Sequence, residues 1–256
     1  MDFTTIEVRA DGPRGWLELN RPDKRNALSL TMLAELAAAA EWFNARTEVK
    51  AVTVAGRGSS FCAGADLATF TNPDPSISPR DAADLGRTMA ESIEAMNAIT
   101  VARISGHCVG GGLVLAAACD LRVAAHDTYF SIPELALGIP LAWGGIPRLV
   151  REIGPALTKE LVLTCRPFTA DEARSAGFLN RVVDPADLEV VVDSIVEQLV
   201  DKSPLTLHAT KRHVDAITAA AFGTAQAWSD ADSLVSALHD TDSREVALAY
   251  LERFAR

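Results

Sequence analysis

Apolar and polar residues alternate along Ile6-Glu7-Val8-Arg9 and again along Trp16-Leu17-Glu18-Leu19. This is the period-two pattern of half-buried strands, and Asp11-Gly12-Pro13 between them predicts a hairpin. From Leu30 to Ala45 the pattern changes to a helical period, rich in Ala and Leu. Ala51-Val52-Thr53-Val54-Ala55 reads as a buried strand. The segment Asn72 to Pro79 carries prolines at Pro73, Pro75 and Pro79, which predicts an irregular stretch, placed as a rim of a ligand pocket. A helix is expected over Asp81–Asn97, then strands over Val101–Ile104, Leu121–Ala125 and Thr128–Ile132, and a helix over Gly145–Ile153. Thr169-Ala170-Asp171-Glu172 is a capping box, opening a helix that Gly177 closes. Ala186–Asp201, Pro204–Ala219 and Ser229–Tyr250 complete the helical pattern. Strands alternating with helices predict an α/β fold. No internal repeat is legible.

The chemistry concentrates where a strand gives way to Ser105-Gly106-His107-Cys108-Val109-Gly110-Gly111-Gly112-Leu113-Val114. Three consecutive glycines let a backbone approach a ligand closely. The helix that follows begins with unpaired N–H groups and the positive end of its dipole. Such a turn suits a phosphate, a carboxylate or a developing oxyanion. A second strand-to-loop turn, Arg57-Gly58-Ser59-Ser60-Phe61-Cys62-Ala63-Gly64-Ala65-Asp66-Leu67, offers further N–H groups. Two such turns suffice to clamp one carbonyl oxygen.

Together with Asn20-Arg21-Pro22-Asp23-Lys24-Arg25-Asn26-Ala27-Leu28 and Phe130-Ser131-Ile132-Pro133-Glu134-Leu135-Ala136-Leu137-Gly138-Ile139, these turns resemble the enoyl-CoA hydratase/isomerase (crotonase) superfamily. The resemblance covers nearly the whole chain. It implies a spiral of ββα turns over residues 1–186, with a helical trimerisation region over 187–256 and assembly into a homotrimer or hexamer. It implies an acyl-CoA thioester as substrate, coenzyme A being part of that substrate, and no separate cofactor or metal. The N–H groups of Ala65 and Gly111 would form the oxyanion hole. Lys24 and Arg25 would meet CoA phosphates, and the Ala63 carbonyl the adenine, with Ala27, Asp66 and Leu67 beside them. Asp66 also reads as a loop cap.

The family's hydratases place one glutamate two residues past the third glycine, where this chain has Val114. Their second glutamate matches Glu134. A third acid position, used by dienoyl-CoA isomerases, falls on Ala142. One carboxylate, Glu134, suits a proton shuttle that moves a double bond. The resemblance therefore points to an isomerase. A hydratase would need another acid, for which Glu91 and Glu94 stand as candidates; a non-catalytic acyl-CoA binder is the third reading. Val114, Leu141 and Trp143 would line the acyl pocket, and the last two are bulkier than the family's pattern at their positions. A serine-peptidase reading finds no Gly-x-Ser-x-Gly element and no Ser/His pair placed as nucleophile and base.

Composition narrows partners. The net charge of −10, with no basic run, argues against nucleic acid. The four cysteines lack metal-ligand or secreted-disulfide spacing, and Met1-Asp2-Phe3-Thr4-Thr5 does not read as a signal peptide, so a cytoplasmic setting is expected. No apolar run has membrane-spanning length.

Overall fold

The computed structural model describes residues 2–71, 75–227 and 229–254. The chain order is β1 (Ile6–Asp11), β2 (Arg14–Leu19), α1 (Leu30–Asn44), β3 (Ala51–Gly56), α2 (Ala68–Thr71), α3 (Pro79–Glu94), β4 (Ile99–Ile104), β5 (His107–Val109), α4 (Gly111–Ala118), β6 (Leu121–Ala125), β7 (Tyr129–Ser131), α5 (Gly145–Thr164), α6 (Ala170–Ser175), β8 (Arg181–Val183), α7 (Leu188–Val200), α8 (Pro204–Phe222), α9 (Asp230–His239) and α10 (Thr241–Phe254). Six strands form one sheet in the order β1-β2-β3-β4-β6-β8. Only the β1–β2 hairpin is antiparallel, with Ile6 opposite Leu19. The remaining neighbours run parallel. β5 and β7 pair in parallel as a separate small sheet.

The periods of the sequence explain the layers. Val52, Val54, Ala102, Ile104 and Ala124 turn to one face and pack with Met32, Leu36 and Phe43 of α1 and Met89 and Ile93 of α3. Ala51, Val101, Val123 and Ala125 turn to the other face, against Leu188, Val192, Ile195 and Val196 of α7. The central strands are therefore apolar on both sides, as buried parallel strands must be. Every residue of α4 is buried. That fixes its first residue, Gly111, on the most constrained helix of the fold.

Several boundaries differ from the sequence pattern. Pro79 opens α3 at a position that tolerates proline, behind the N-cap Ser78; Asn72, Pro73 and Asp74 lie outside the described residues. The helix expected over Gly145–Ile153 runs on to Thr164 across a break at Gly154. The single helix expected over Ser229–Tyr250 divides at Asp240, which is extended (φ −73°, ψ 136°). Strands β5 and β8 were not apparent from alternation, because each has three residues and exists only through its partner. The Thr169 hydroxyl caps Glu172 N–H at 3.1 Å, but the Glu172 carboxylate binds Arg166. No helix of the described residues is long and apolar enough to cross a membrane.

Candidate active site

The two glycine-bearing turns are stitched edge to edge. Cys62 and Cys108 form a parallel bridge, with Cys62 N–H donating to His107 O (2.8 Å) and Val109 N–H to Cys62 O (3.0 Å). A Cβ at Gly64 would stand 2.8 Å from Val109 O and 3.6 Å from Gly111 N, so the second turn can approach the first only because that residue is glycine. On its other side the second turn bridges Leu28. Leu28 N–H donates to Gly64 O (2.8 Å) and Asp66 N–H to Leu28 O (3.0 Å). These bonds flank Ala65 and leave its N–H out of the bridge.

Gly110 N–H donates to Ser131 O at 3.0 Å, and Leu113 and Val114 N–H return to Gly110 O. Gly111 N–H is then left at the head of α4, where no intrahelical acceptor exists. Ala65 and Gly111 line one small cavity with Val114, Glu134, Leu141, Trp143, Leu234 and neighbours. The two expected oxyanion donors, the expected catalytic carboxylate and the three expected acyl-pocket residues thus meet in one place.

Glu134 heads a short 3-10 turn, Glu134–Leu137, closed by Gly138 in the left-handed region. Its Oε2 is buried without a hydrogen-bond partner. Desolvation disfavours the charged form and pushes this carboxyl up to about 7. A Cβ at Gly110 would overlap the Glu134 carboxylate. Glycine there, at φ +49°, thus both permits the turn and makes room for the acid. Among the described residues Glu134 is the one titratable residue in the cavity lining.

The alternative acids are engaged elsewhere. Burial alone would raise the Glu94 carboxyl, but Arg148 and Arg151 hold it below its ordinary value; both guanidiniums reach it at 2.6 Å. Glu91 accepts from Arg87 at 2.5 Å. Neither borders the cavity, which corrects the expectation that one of them supplies a second acid.

The structure also contains a Ser/His contact that sequence reading missed. Ser60 Oγ lies 3.1 Å from His107 Nδ1. Among the described residues no carboxylate stands behind the imidazole, and neither residue lines the cavity. Burial and the nearby Arg25 charge lower the His107 pKa. The pair spans the two turns and is not a nucleophile with an oriented base.

Lys24 and Arg25 are exposed at the end of the Pro22–Lys24 turn, with no ion-pair partner among the described residues. The loop that carries them is anchored by Asn26, which is fully buried and went unnoticed in the sequence. Its amide accepts from Arg21 N–H (2.9 Å) and donates to Arg57 O (2.9 Å) and Ser60 O (2.8 Å). Arg21 completes the brace, donating to Ala27 O (2.5 Å) and to Asp66 Oδ2 (2.8 Å). Asp66 therefore holds the loop, and Ala27 contributes its carbonyl to the same brace. Ala63 N–H donates to Arg25 O at 2.9 Å, tying the Ala63 segment to the cationic loop. Leu67 lies on the surface beside it, 37% exposed. Cys62, Cys108 and Cys119 are buried, and desolvation raises each thiol, Cys62 and Cys119 to about 12, so they are inert core residues.

Known proteins resemble this chain in sequence and in fold. The sequence profile of the family described as enoyl-CoA hydratase/isomerase matches residues 15–255. The chain is 35% identical to a crotonyl-CoA hydratase of Syntrophomonas wolfei over 212 residues, 82% of this chain and 81% of that one. It is 34% identical to a peroxisomal Delta(3,5)-Delta(2,4)-dienoyl-CoA isomerase of Arabidopsis thaliana over 82% of this chain and 81% of that one. The crystal structure of an enoyl-CoA hydratase subunit from Geobacillus kaustophilus superimposes with a TM-score of 0.79 at 31% identity, covering 99% of this chain and 97% of that one.

Proposed function

Because this chain belongs to the enoyl-CoA hydratase/isomerase family, we propose that it shifts the double bond of an enoyl-CoA, with Glu134 carrying the proton. The carrying observation is that Glu134 is the one buried carboxyl among the described residues of a cavity whose hydratase-type partner position is Val114. In this reading the Ala65 and Gly111 N–H groups hold the thioester oxygen. Glu134 takes a proton from C2 of a 3-enoyl group, and the electron pair spreads over the oxygen and C4. The same carboxyl returns the proton to C4, leaving the double bond between C2 and C3. One donor in such a hole is typically worth ~3–4 kcal/mol to the barrier. An acid titrating near neutrality gives up and regains a proton with little penalty either way.

The hydratase reading draws on the relative named crotonyl-CoA hydratase. It needs a second group to hold water, and among the described residues the cavity lining offers none that titrates. Assay of one preparation with a 3-enoyl-CoA and with crotonyl-CoA separates the readings: isomerisation should exceed hydration. Hydration in excess decides for the hydratase. Turnover of neither, with CoA still bound, decides for a binding protein.

The cationic loop would serve the CoA phosphates. Replacing Lys24 and Arg25 together with alanine should weaken binding of free CoA by about tenfold at low ionic strength, and less at high salt, since exposed charges are screened. Equal affinity at low salt would remove these residues from the site.

The helical C-terminal part supports assembly. No residue of α8 is buried, yet Leu205, Val214 and Ile217 are 77%, 54% and 62% exposed. We expect a second copy of this chain to cover that face, giving a trimer or a multiple of it. Sedimentation of a stable monomer at micromolar concentration would refute this. By contrast α9 and α10 pack on their own subunit: Leu234 lines the cavity, and Ser243 O lies where a Cβ at Gly138 would stand.

A further inference from the structure

Trp143 occupies the left-handed region at φ +62°. For a bulky residue this costs on the order of 1–3 kcal/mol and persists only where the surroundings enforce it. They do so here. Arg148, fully buried, donates to Trp143 O and Gly144 O, each at 3.2 Å. The Asp230 carboxylate of α9 accepts from Gly144 N–H at 2.8 Å. The turn is clamped from two sides, and Trp143 as a whole residue is 9% exposed.

Two glycines make room for that ring. A Cβ at Gly86, inside α3, would overlap the indole at Cδ2 and Cε2; a Cβ at Gly111 would overlap its benzo edge at Cζ3. Glycine in a helix interior costs ~1 kcal/mol relative to alanine. The indole Nε1 is buried without a partner, a further cost. Three unfavourable features thus converge on placing one flat side chain against Gly111. What remains of the cavity is about 30 Å³, room for roughly two water-sized groups.

We propose that Trp143 is the end wall of the acyl pocket and limits the substrate to short acyl groups. This rests on the placement of the thioester oxygen at Gly111 given above. With the carbonyl there and Glu134 reaching the carbons beyond it, a longer chain meets the indole. Clamping by Arg148 and Asp230 makes the ring a fixed wall and not a swinging one. Trp143 is in this sense a specificity-determining residue, and Gly86 the residue that positions it.

The test reads binding and turnover separately. Calorimetry with saturated butyryl-CoA and decanoyl-CoA should show the longer chain binding no more tightly than the shorter, despite its extra apolar surface. The kcat/KM for 3-butenoyl-CoA should exceed that for 3-decenoyl-CoA. In Trp143→Gly, whose new residue adopts φ +62° without strain, the decenoyl-to-butenoyl ratio should rise at least about 30-fold. Decanoyl-CoA should also gain affinity in that variant. A wild-type length profile that is flat or favours the long chain overturns the proposal without any variant. So does an unchanged ratio in folded Trp143→Gly. Because the calorimetric arm involves no proton transfer, it stands even if the assigned reaction fails. Length-selective binding without isomerisation would reject the reaction alone.

Discussion

Replacing Glu134 with glutamine is expected to slow isomerisation of a 3-enoyl-CoA by about two orders of magnitude or more while leaving CoA affinity unchanged. Glutamine keeps the volume and the polar head but cannot accept and return a proton. The same variant has a stability signature. Burial lifts the Glu134 carboxyl from its ordinary 4.5 to about 7. The folded state therefore binds its proton more tightly than the unfolded chain does. Between those two values the native state holds the extra proton, so this group's contribution falls as pH rises, and above 7 an unpartnered charge sits in the cavity. Glutamine never ionises. The variant should then match the wild type near pH 4.5 and be more thermostable at pH 8. Thermal unfolding at both pH values, beside the two activity assays, checks the pair of effects. Hydration of crotonyl-CoA that survives the substitution would overturn both the role of Glu134 and the reaction.

Arg148→Met should lower the melting temperature by on the order of 10 °C. The guanidinium is completely buried and binds Glu94 at 2.6 Å together with the carbonyls of Trp143 and Gly144. Methionine fills much of the volume but takes the side-chain donor from both carbonyls, leaving Gly144 O only the 3.5 Å bond from the backbone N–H of residue 148, and removes one of the two cations on Glu94. Breaking a buried pair from one side typically costs ~3–5 kcal/mol. Arg166 provides the contrast. It binds Glu160 and Glu172 at 2.7 and 2.5 Å, but on the surface, so Arg166→Met should cost under ~1 kcal/mol. Equal losses for the two arginines would show that burial is not what gives the Arg148 network its weight. If Arg148→Met folds, its left-handed Trp143 turn keeps only the Asp230 clamp, and the acyl-length preference should relax with it.

The glycine turns, the hairpin and the buried strands were legible because each is written locally, as a period or as a residue type that only one backbone shape requires. Glu134 was legible through the order of four motifs. What escaped was decided at long range. Asn26 looks like any loop asparagine until the Arg57–Ser60 segment folds onto it. Ser60 and His107 are 47 positions apart and meet only through the Cys62–Cys108 bridge. Glu91 and Glu94 stood as candidate acids on the expected Asp81–Asn97 helix, but Arg87 occupies Glu91 and two arginines of α5 occupy Glu94. Trp143 was recognised as bulky, but a tryptophan at positive φ contradicts local preference. Only the clamp from Arg148 and Asp230 makes it legible afterwards.

That α9 supplies Asp230 to the Trp143 turn and Leu234 to the pocket sets an order of events during synthesis. The strands, the glycine turns and α4 leave the ribosome well before α9. A nascent chain halted before Asp230 would hold the oxyanion donors and Glu134 behind a Trp143 turn with one clamp missing. Catalytic competence would then arrive abruptly with the last helices, so that a truncated product carries the acyl-CoA clamp without a closed chamber for the chemistry.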